Sequence, residues 1–405
     1  MKRIVFMILG TLTFAFSNAQ QLETLIEEAI ANSPEIQKFE LRHQMTTERI
    51  NEVNSLPDTQ FGVGYFVSEP ETRTGAQRAK ISVKQSIPWF GSITARENYA
   101  SSVADVKFED IVIAKRKLVA AVSQSYYNVY ANSAKQDVLE HNIALLKTYE
   151  TLALTAVETG NASAVDVLRL QMRQNEMEEL KRVLEQDLLS EQSHLNNLLN
   201  RDSAEQIQVA NELTMPIENS LVTSENLQLH PELTQYDKLY ESVTRSELLN
   251  QKESSPMVGI GLDYIAVSER PDMSFADNGK DIIMPMVSLS IPVFTKKYKS
   301  NSRLNELKQQ EIKAEKSERY NTLKTILDKA INDRVSARIR YETISKNLQQ
   351  AKDAEEILLK NYETGTIDFN DVLDIQELQL KFQLNEVDAI KKYYIKSTII
   401  NYLSS

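Results

Sequence analysis

The chain has 405 residues, with 46 lysines and arginines against 57 aspartates and glutamates, for a formal net charge of −11. It has no cysteine, which excludes disulfides, thiolate metal sites, cysteine nucleophiles and the lipid-bearing N-terminal cysteine of bacterial lipoproteins. The acidic balance gives no electrostatic footprint for nucleic acid, and a Glu/Lys/Gln/Leu/Ala-rich composition broken by only ten glycines and ten prolines favours very long helices.

Lys2 and Arg3 precede an apolar run from Ile4 to Phe16, and Ser17-Asn18-Ala19 then sets small residues before Gln20. This order predicts a signal peptide over 1–19. The apolar run is shorter than the ~20 residues of a membrane helix, and no later segment approaches one. A mature protein held in a membrane must therefore use strands or a lipid.

A first helix is expected over about 22–54. Pro57 then opens an alternating stretch with Phe61, Val63, Tyr65 and Val67 on one face. Beyond a polar loop at 68–77, Ile81, Val83 and Ile87 alternate with Lys80, Ser82, Lys84 and Ser86. Period two with one apolar and one polar face predicts strands. From Ser92 to Glu158 there is neither proline nor glycine, and Ile111, Leu118, Val122 and Val129, then Val138, Leu145 and Leu152, suggest a coiled-coil-like seam. Gly160 is placed to end this helix, and Asn161 or Ser163 to cap the returning one. An irregular stretch is expected over 200–228.

The same elements then recur. A helix over 231–253 leads to Pro256. Val258, Ile260, Leu262 and Tyr264 alternate with Gly259, Gly261 and Asp263, and after a polar loop at 268–280 a second alternation runs from Ile283 to Ile291. Pro285 predicts regular strand only from about Met286. A second unbroken helix runs from Thr295 to Glu363, with Gly365 as its end and Asp368 or Asn370 as the next cap. TAVETGNASAVDVLRLQ (155–171) and KNYETGTIDFNDVLDIQ (360–376) share seven of seventeen positions at an offset of 205. VKQSIPWF (83–90) against VSLSIPVF (287–294), NSPEI (32–36) against LHPEL (229–233) and FGVGYF (61–66) against VGIGLD (258–263) follow in the same order. We read a tandem duplication, with repeats at 20–228 and 229–405.

Four strands cannot close a barrel, and an open sheet edge in lipid costs several kcal/mol per unsatisfied group. Either the strands lie outside a membrane or several copies complete one barrel; three copies would supply twelve strands. The paired units, the Ser33-Pro34-Glu35 segment and the sequence YETGTIDFNDVLDIQ (362–376) resemble the TolC outer membrane factor family. The resemblance implies an α+β membrane protein: a homotrimer with a twelve-stranded β-barrel in outer-membrane lipid, four strands per protomer, continued by a long α-helical coiled-coil barrel in the periplasm. It implies a passive efflux conduit that works with a periplasmic adaptor (membrane fusion) protein and an inner-membrane pump of resistance-nodulation-division (RND) or ABC type. It implies no cofactor and no enzymatic activity. IPWFGSITAR (87–96) is similar to the heavy-metal branch of that family.

Asp371 and Asp374 lie three apart, on one face of a helix start. The resemblance sets them at a periplasmic aperture, where rings of carboxylates would attract cations; the plainer alternative is acids favoured by the helix dipole. Asp166 is the counterpart of Asp371, but Arg169 stands opposite Asp374. Tyr362 matches an aperture tyrosine, although Thr366 and Ile367 occupy the loop where a basic partner is usual. Glu158, Thr159 and Gly160, with Glu363, Thr364 and Gly365, resemble adaptor-docking tips, and turn chemistry alone also accounts for the glycines. His43, His141, His194 and His230 have no metal-ligand spacing, and Met257, Met273, Met284 and Met286 read as lumen or loop filling. Trp89, Phe90 and Tyr99 fit an interfacial aromatic belt. No catalytic constellation is visible. The competing class is a secreted structural or adhesive coiled-coil protein without a pore, which explains the helices but not the alternating strands. Sequencing the N-terminus of the secreted or membrane-bound protein tests the first step, and a mature chain starting at Gln20 is expected.

Overall fold

In the computed structural model, residues 21–160, 163–217, 224–272, 274–364, 366–367 and 369–404 are described. The expected signal peptide, Asn161, Met273, Gly365 and Asp368 lie outside them. The chain forms two compact units, each drawing on both halves of the sequence: 38–111 with 231–319, and the segments up to 37, 112–230 and 320–405.

The first of these units holds the sheet. Strand β1 (Gln60–Tyr65) pairs antiparallel with β3 (Gly75–Ile87), β3 with β4 (Met257–Val267), and β4 with β5 (Ile282–Ser290), leaving β1 and β5 at the ends of the order. The register sets Phe61 opposite Val83 and Val63 opposite Ile81. The apolar face is open: Val63 is 84% exposed and Val287 81%. The polar loop expected at 68–77 is partly ladder, because β2 (Glu71–Thr72) folds back on Gly75 and Ala76. Gly75 makes that return at φ +131°, where a Cβ would lie 1.7 Å from the Ser268 carbonyl oxygen, so only glycine fits. Pro285, expected to disrupt, is paired with Leu262 in regular strand. The strand is the last in the sheet, where a missing N–H need not cost a ladder bond.

Helix α5 (Pro231–Glu253) carries a polar strip that binds the start of α6 (Lys296–Glu363). Glu247 accepts from Ser302 at 2.8 Å and Asn305 at 2.9 Å, while Asn250 donates to the Tyr298 carbonyl at 3.0 Å. These bonds to Glu247 hold its carboxyl below the usual range against the opposing effect of its own desolvation.

The single helix expected at 22–54 is broken. Helix α1 (21–32) stops at Ser33, and α2 (Pro34–Val53) starts afresh. Pro34 has no N–H to continue the first helix, and the Ser33 hydroxyl accepts from the Ile36 N–H at 3.3 Å as a new N-cap. Helix α3 (Ser92–Glu158) packs against α4 (Ala164–Leu199) and α7 (Phe369–Ser404) around Leu139, Ile143, Leu146, Leu170, Val372 and Phe369. Each such side chain contributes about 1.5–3 kcal/mol relative to an exposed one.

The expected seam is right as far as Val129 and then loses phase. Leu152 is 42% exposed, and the buried positions are Leu139, Ile143, Leu146 and Ala153. Val122, Val129 and Ile143 keep one heptad register, with Gln136 standing between them and donating to the Leu184 carbonyl at 3.1 Å. A polar residue at that seam position hid the continuity of the pattern.

The stretch after α4 is irregular, as expected, and its backbone is satisfied by tyrosines. Tyr126 and Tyr130 accept from the N–H groups of Ala210 and Leu213 at 3.0 Å each, and Tyr394 donates to the Thr214 carbonyl at 2.8 Å. Tyr126→Phe is expected to leave the buried Ala210 N–H unpaired and cost about 1–3 kcal/mol. Hydrogen exchange at Ala210 should quicken while the α4 amides stay protected.

Candidate functional site: the two helical tips

The chemistry-bearing residues gather where α3 turns into α4 and α6 into α7. Gly160 takes φ +76° and its N–H reaches the Val157 carbonyl at 3.0 Å, closing the first tip beside exposed Glu158 and Thr159. Ser163 then caps α4: its hydroxyl accepts from Val165 N–H at 3.2 Å, while Asp166 accepts from the Ser163 N–H at 3.3 Å. Asp166, a candidate aperture acid, is thus buried and engaged in a capping box. At the second tip the Thr366 N–H donates to the Asn361 carbonyl at 3.0 Å and the hydroxyls of Thr364 and Thr366 lie 3.0 Å apart. Gly365, the remaining candidate there, is outside the described residues, and Glu363 is placed as the last residue of α6.

Phe369, only 1% exposed, anchors the start of α7. Its ring meets Tyr362 at 4.9 Å and Tyr149 at 5.9 Å, both edge-on. Tyr362 is therefore held by aromatic packing at this point. Asp371 and Asp374 lie on the opposite, exposed side of α7 from buried Val372, Leu373 and Gln376. No ion pair reaches either carboxylate among the described residues. The cation nearest in sequence logic, Arg169, donates instead to Asn370. One turn further, Arg173 pairs with Glu377 and with Glu176. The first of these joins α4 to α7 and the second lies within α4; both are partly exposed and contribute at most about 1 kcal/mol each. They flank a cleft of about 350 Å³ floored by Leu146, Met177, Leu380 and Leu384.

A polar clamp escaped the sequence reading. Tyr149 donates to Glu355 at 2.6 Å, and Gln379 donates to the same carboxylate at 2.7 Å, with Gln376 on its other oxygen. Burial, and then the hydrogen bond and charge of Glu355, push the Tyr149 phenol above its ordinary pKa, so it stays a donor at physiological pH. The first tip has the same device: Glu150 accepts from Gln171 at 2.8 Å and Gln174 at 2.9 Å, which hold its carboxyl below the usual range. Glu150, Gln171 and Gln174 correspond to Glu355, Gln376 and Gln379 at the offset of 205. Extending the internal alignment by a few residues either way would have found both clamps.

Among the described residues no three His, Asp or Glu side chains could together hold a metal ion, and no helix is long and apolar enough to cross a membrane. The arrangement offers exposed carboxylates at a helix start.

No protein-family model matches the sequence, and no curated protein matches it. Solved structures do. CusC, described through conformational changes that accompany folding and transmembrane channel formation, matches at a TM-score of 0.76 and 14% identity over 95% of this chain and 92% of its own. VceC, an outer membrane protein of Vibrio cholerae, matches at 0.74 and 17% identity over 95% and 96%. MtrE of Neisseria gonorrhoeae, an outer membrane channel in its open state, matches at 0.74 and 14% identity over 95% and 88%. The fold is that of the outer-membrane channels. As in the TolC-like expectation, a mostly helical chain carries one small antiparallel sheet.

The two clamps should respond unequally to the loss of a donor. Gln379 is 5% exposed, so Gln379→Leu is expected to cost about 1–3 kcal/mol by stranding part of the Glu355 carboxylate. Gln174→Leu, at the more open Glu150, should cost less than about 1 kcal/mol. Thermal melting of the two variants beside the parent protein checks the order.

Proposed function

We propose that the chain is one protomer of a homotrimeric outer-membrane efflux channel, a passive conduit for small molecules or metal cations. One observation carries this reading: among the described residues, the strand order β1-β3-β4-β5, with the short β2 beside β3, presents an exposed apolar face and ends in two unpaired edges, β1 and β5. In lipid those edges require partners, and a second and third copy would supply them within a barrel of twelve strands. Exposed Phe90 and Phe294 follow the strand ends, where an interfacial aromatic belt would sit.

In this reading each repeat, 20–228 and 229–405, supplies one β-hairpin and one helical hairpin. The tips Glu158–Gly160 and Glu363–Gly365 would meet a periplasmic adaptor protein that links the channel to an inner-membrane pump of RND or ABC type. Asp371 and Asp374 would face the periplasmic aperture as carboxylate rings, and their exposure without an ion pair supports that role. Tyr362 would support the gate through its packing on Phe369, and Asp166 would shape the neighbouring tip as a cap. The similarity of the IPWFGSITAR segment to the heavy-metal branch favours metals, bare or complexed, among the possible cargoes.

Cell fractionation followed by mild-detergent electrophoresis should find a trimer in the outer membrane. A monomer confined to soluble fractions would overturn the reading. In planar bilayers the trimer is expected to lose part of its cation preference when Asp371→Ala and Asp374→Ala are combined. The same selectivity with and without those carboxylates would remove the aperture assignment.

A further inference from the structure

The polar face of the sheet carries few charges, and nearly all are neutralised locally. Lys80 pairs with Asp263, whose side chain is fully buried. At the loop end of the sheet, Arg78 lies 3.5 Å from Glu69, and Arg270, in the loop after β4, lies 3.7 Å from Glu71. Lys84 is the exception. It is exposed, and among the described residues no acid lies within ion-pair distance of it. Its row holds Gln60 on β1, Gly261 on β4 and Met286 on β5, all uncharged. A Cβ at Gly261 would stand 3.3 Å from Lys84 Cγ and 3.5 Å from Met286 Cε, so the lysine stem lies across the glycine on this polar face. Asp263, one repeat of the alternation away, is already bound by Lys80.

We infer that Lys84 is a selectivity residue of the strand-lined pore, forming a cationic ring that favours anionic or zwitterionic cargo and opposes bare divalent cations. The inference rests on the trimeric channel proposed above, in which the polar face lines the lumen and three copies bring three uncompensated ammonium groups to one level. Rings of lysine act in this way in anion-conducting pores. The charge is opposite in sign to that of Asp371 and Asp374, so the conduit is not uniformly cation-attracting. A divalent ion feels twice the repulsion of a monovalent one, which a complexed or anionic cargo avoids.

The absence of cysteine permits a direct test, because Lys84→Cys introduces the single thiol of the chain. The folded, reconstituted channel is treated with a cationic or an anionic methanethiosulfonate, and reversal potentials are read across a KCl gradient. Near 0.1 M salt, where the screening length is ~10 Å, the anionic adduct should raise the K⁺/Cl⁻ permeability ratio about twofold or more over the cationic adduct. The difference should shrink near 1 M, where screening falls to ~3 Å. Lys84→Gln should lie between the adducts. Conducting channels with equal ratios for both adducts would overturn the role of Lys84 and leave the channel standing. Wild-type protein that forms trimers without conductance would remove the channel itself.

Discussion

The constraint on which the rest of this structure depends is the pair of open edges on a sheet whose apolar face stays exposed among the described residues. In the proposed lipid setting, the outer N–H and C=O groups of β1 and β5 would need partners, and side chains such as Val63 and Val287 would be covered by lipid. The central pairing, β3 with β4, also joins segments far apart in sequence. The sheet thus forms only after most of the chain exists, which makes it slow to assemble and vulnerable to wrong edge pairing. Long helices with local contacts suit such a protein, because they form without waiting for the sheet.

What could be read from the sequence follows from how local each signal is. The ends of α3, α5 and α6 were legible because proline and glycine act on the residues beside them: Pro231 opens α5, and Gly160 stops α3 at positive φ. Strand faces were legible because alternation needs no knowledge of a partner. The break at Ser33 was marked by Pro34 and the serine before it, but helical periodicity on both sides obscured it. The seam beyond Val129 was misphased because a polar Gln136 takes a heptad position, and its acceptor on α4 is visible only in three dimensions. Pro285 misled for the same reason, since its place in the ladder, opposite Leu262 of β4, is visible only in three dimensions.

The site shows the same division. Asp371 and Asp374 could be placed on one exposed helix face from spacing alone. Asp166 could not be separated from Asp371 by sequence, although the two stand at corresponding positions of the repeat. Its environment differs because Ser163 turns the first helix start into a capping box that draws the carboxylate inward. The paired clamps at Glu150 and Glu355 lay just outside the most similar aligned segment. Both tips use such a clamp to tie the returning helix to the outgoing one, while differing in the charge each presents.

Space on the polar face explains why a long cation can be tolerated there. A Cβ at Gly62 would come within 2.6 Å of Ser82 Oγ, and one at Gly259 within 2.3 Å of Ser288 Oγ. The larger apolar side chains stand on the opposite face, where exposure shows they have room. Such an asymmetry is what a sheet needs in order to curve with its polar side inward, because the inner surface of a curved sheet is the crowded one. Glycine beside serine relieves the crowding, and glycine beside lysine leaves a lane for its stem. In the proposed barrel, the residues that permit closure would therefore also decide which charges project inward. Of the two lysines on this face, Asp263 neutralises Lys80 and leaves Lys84 to set the sign.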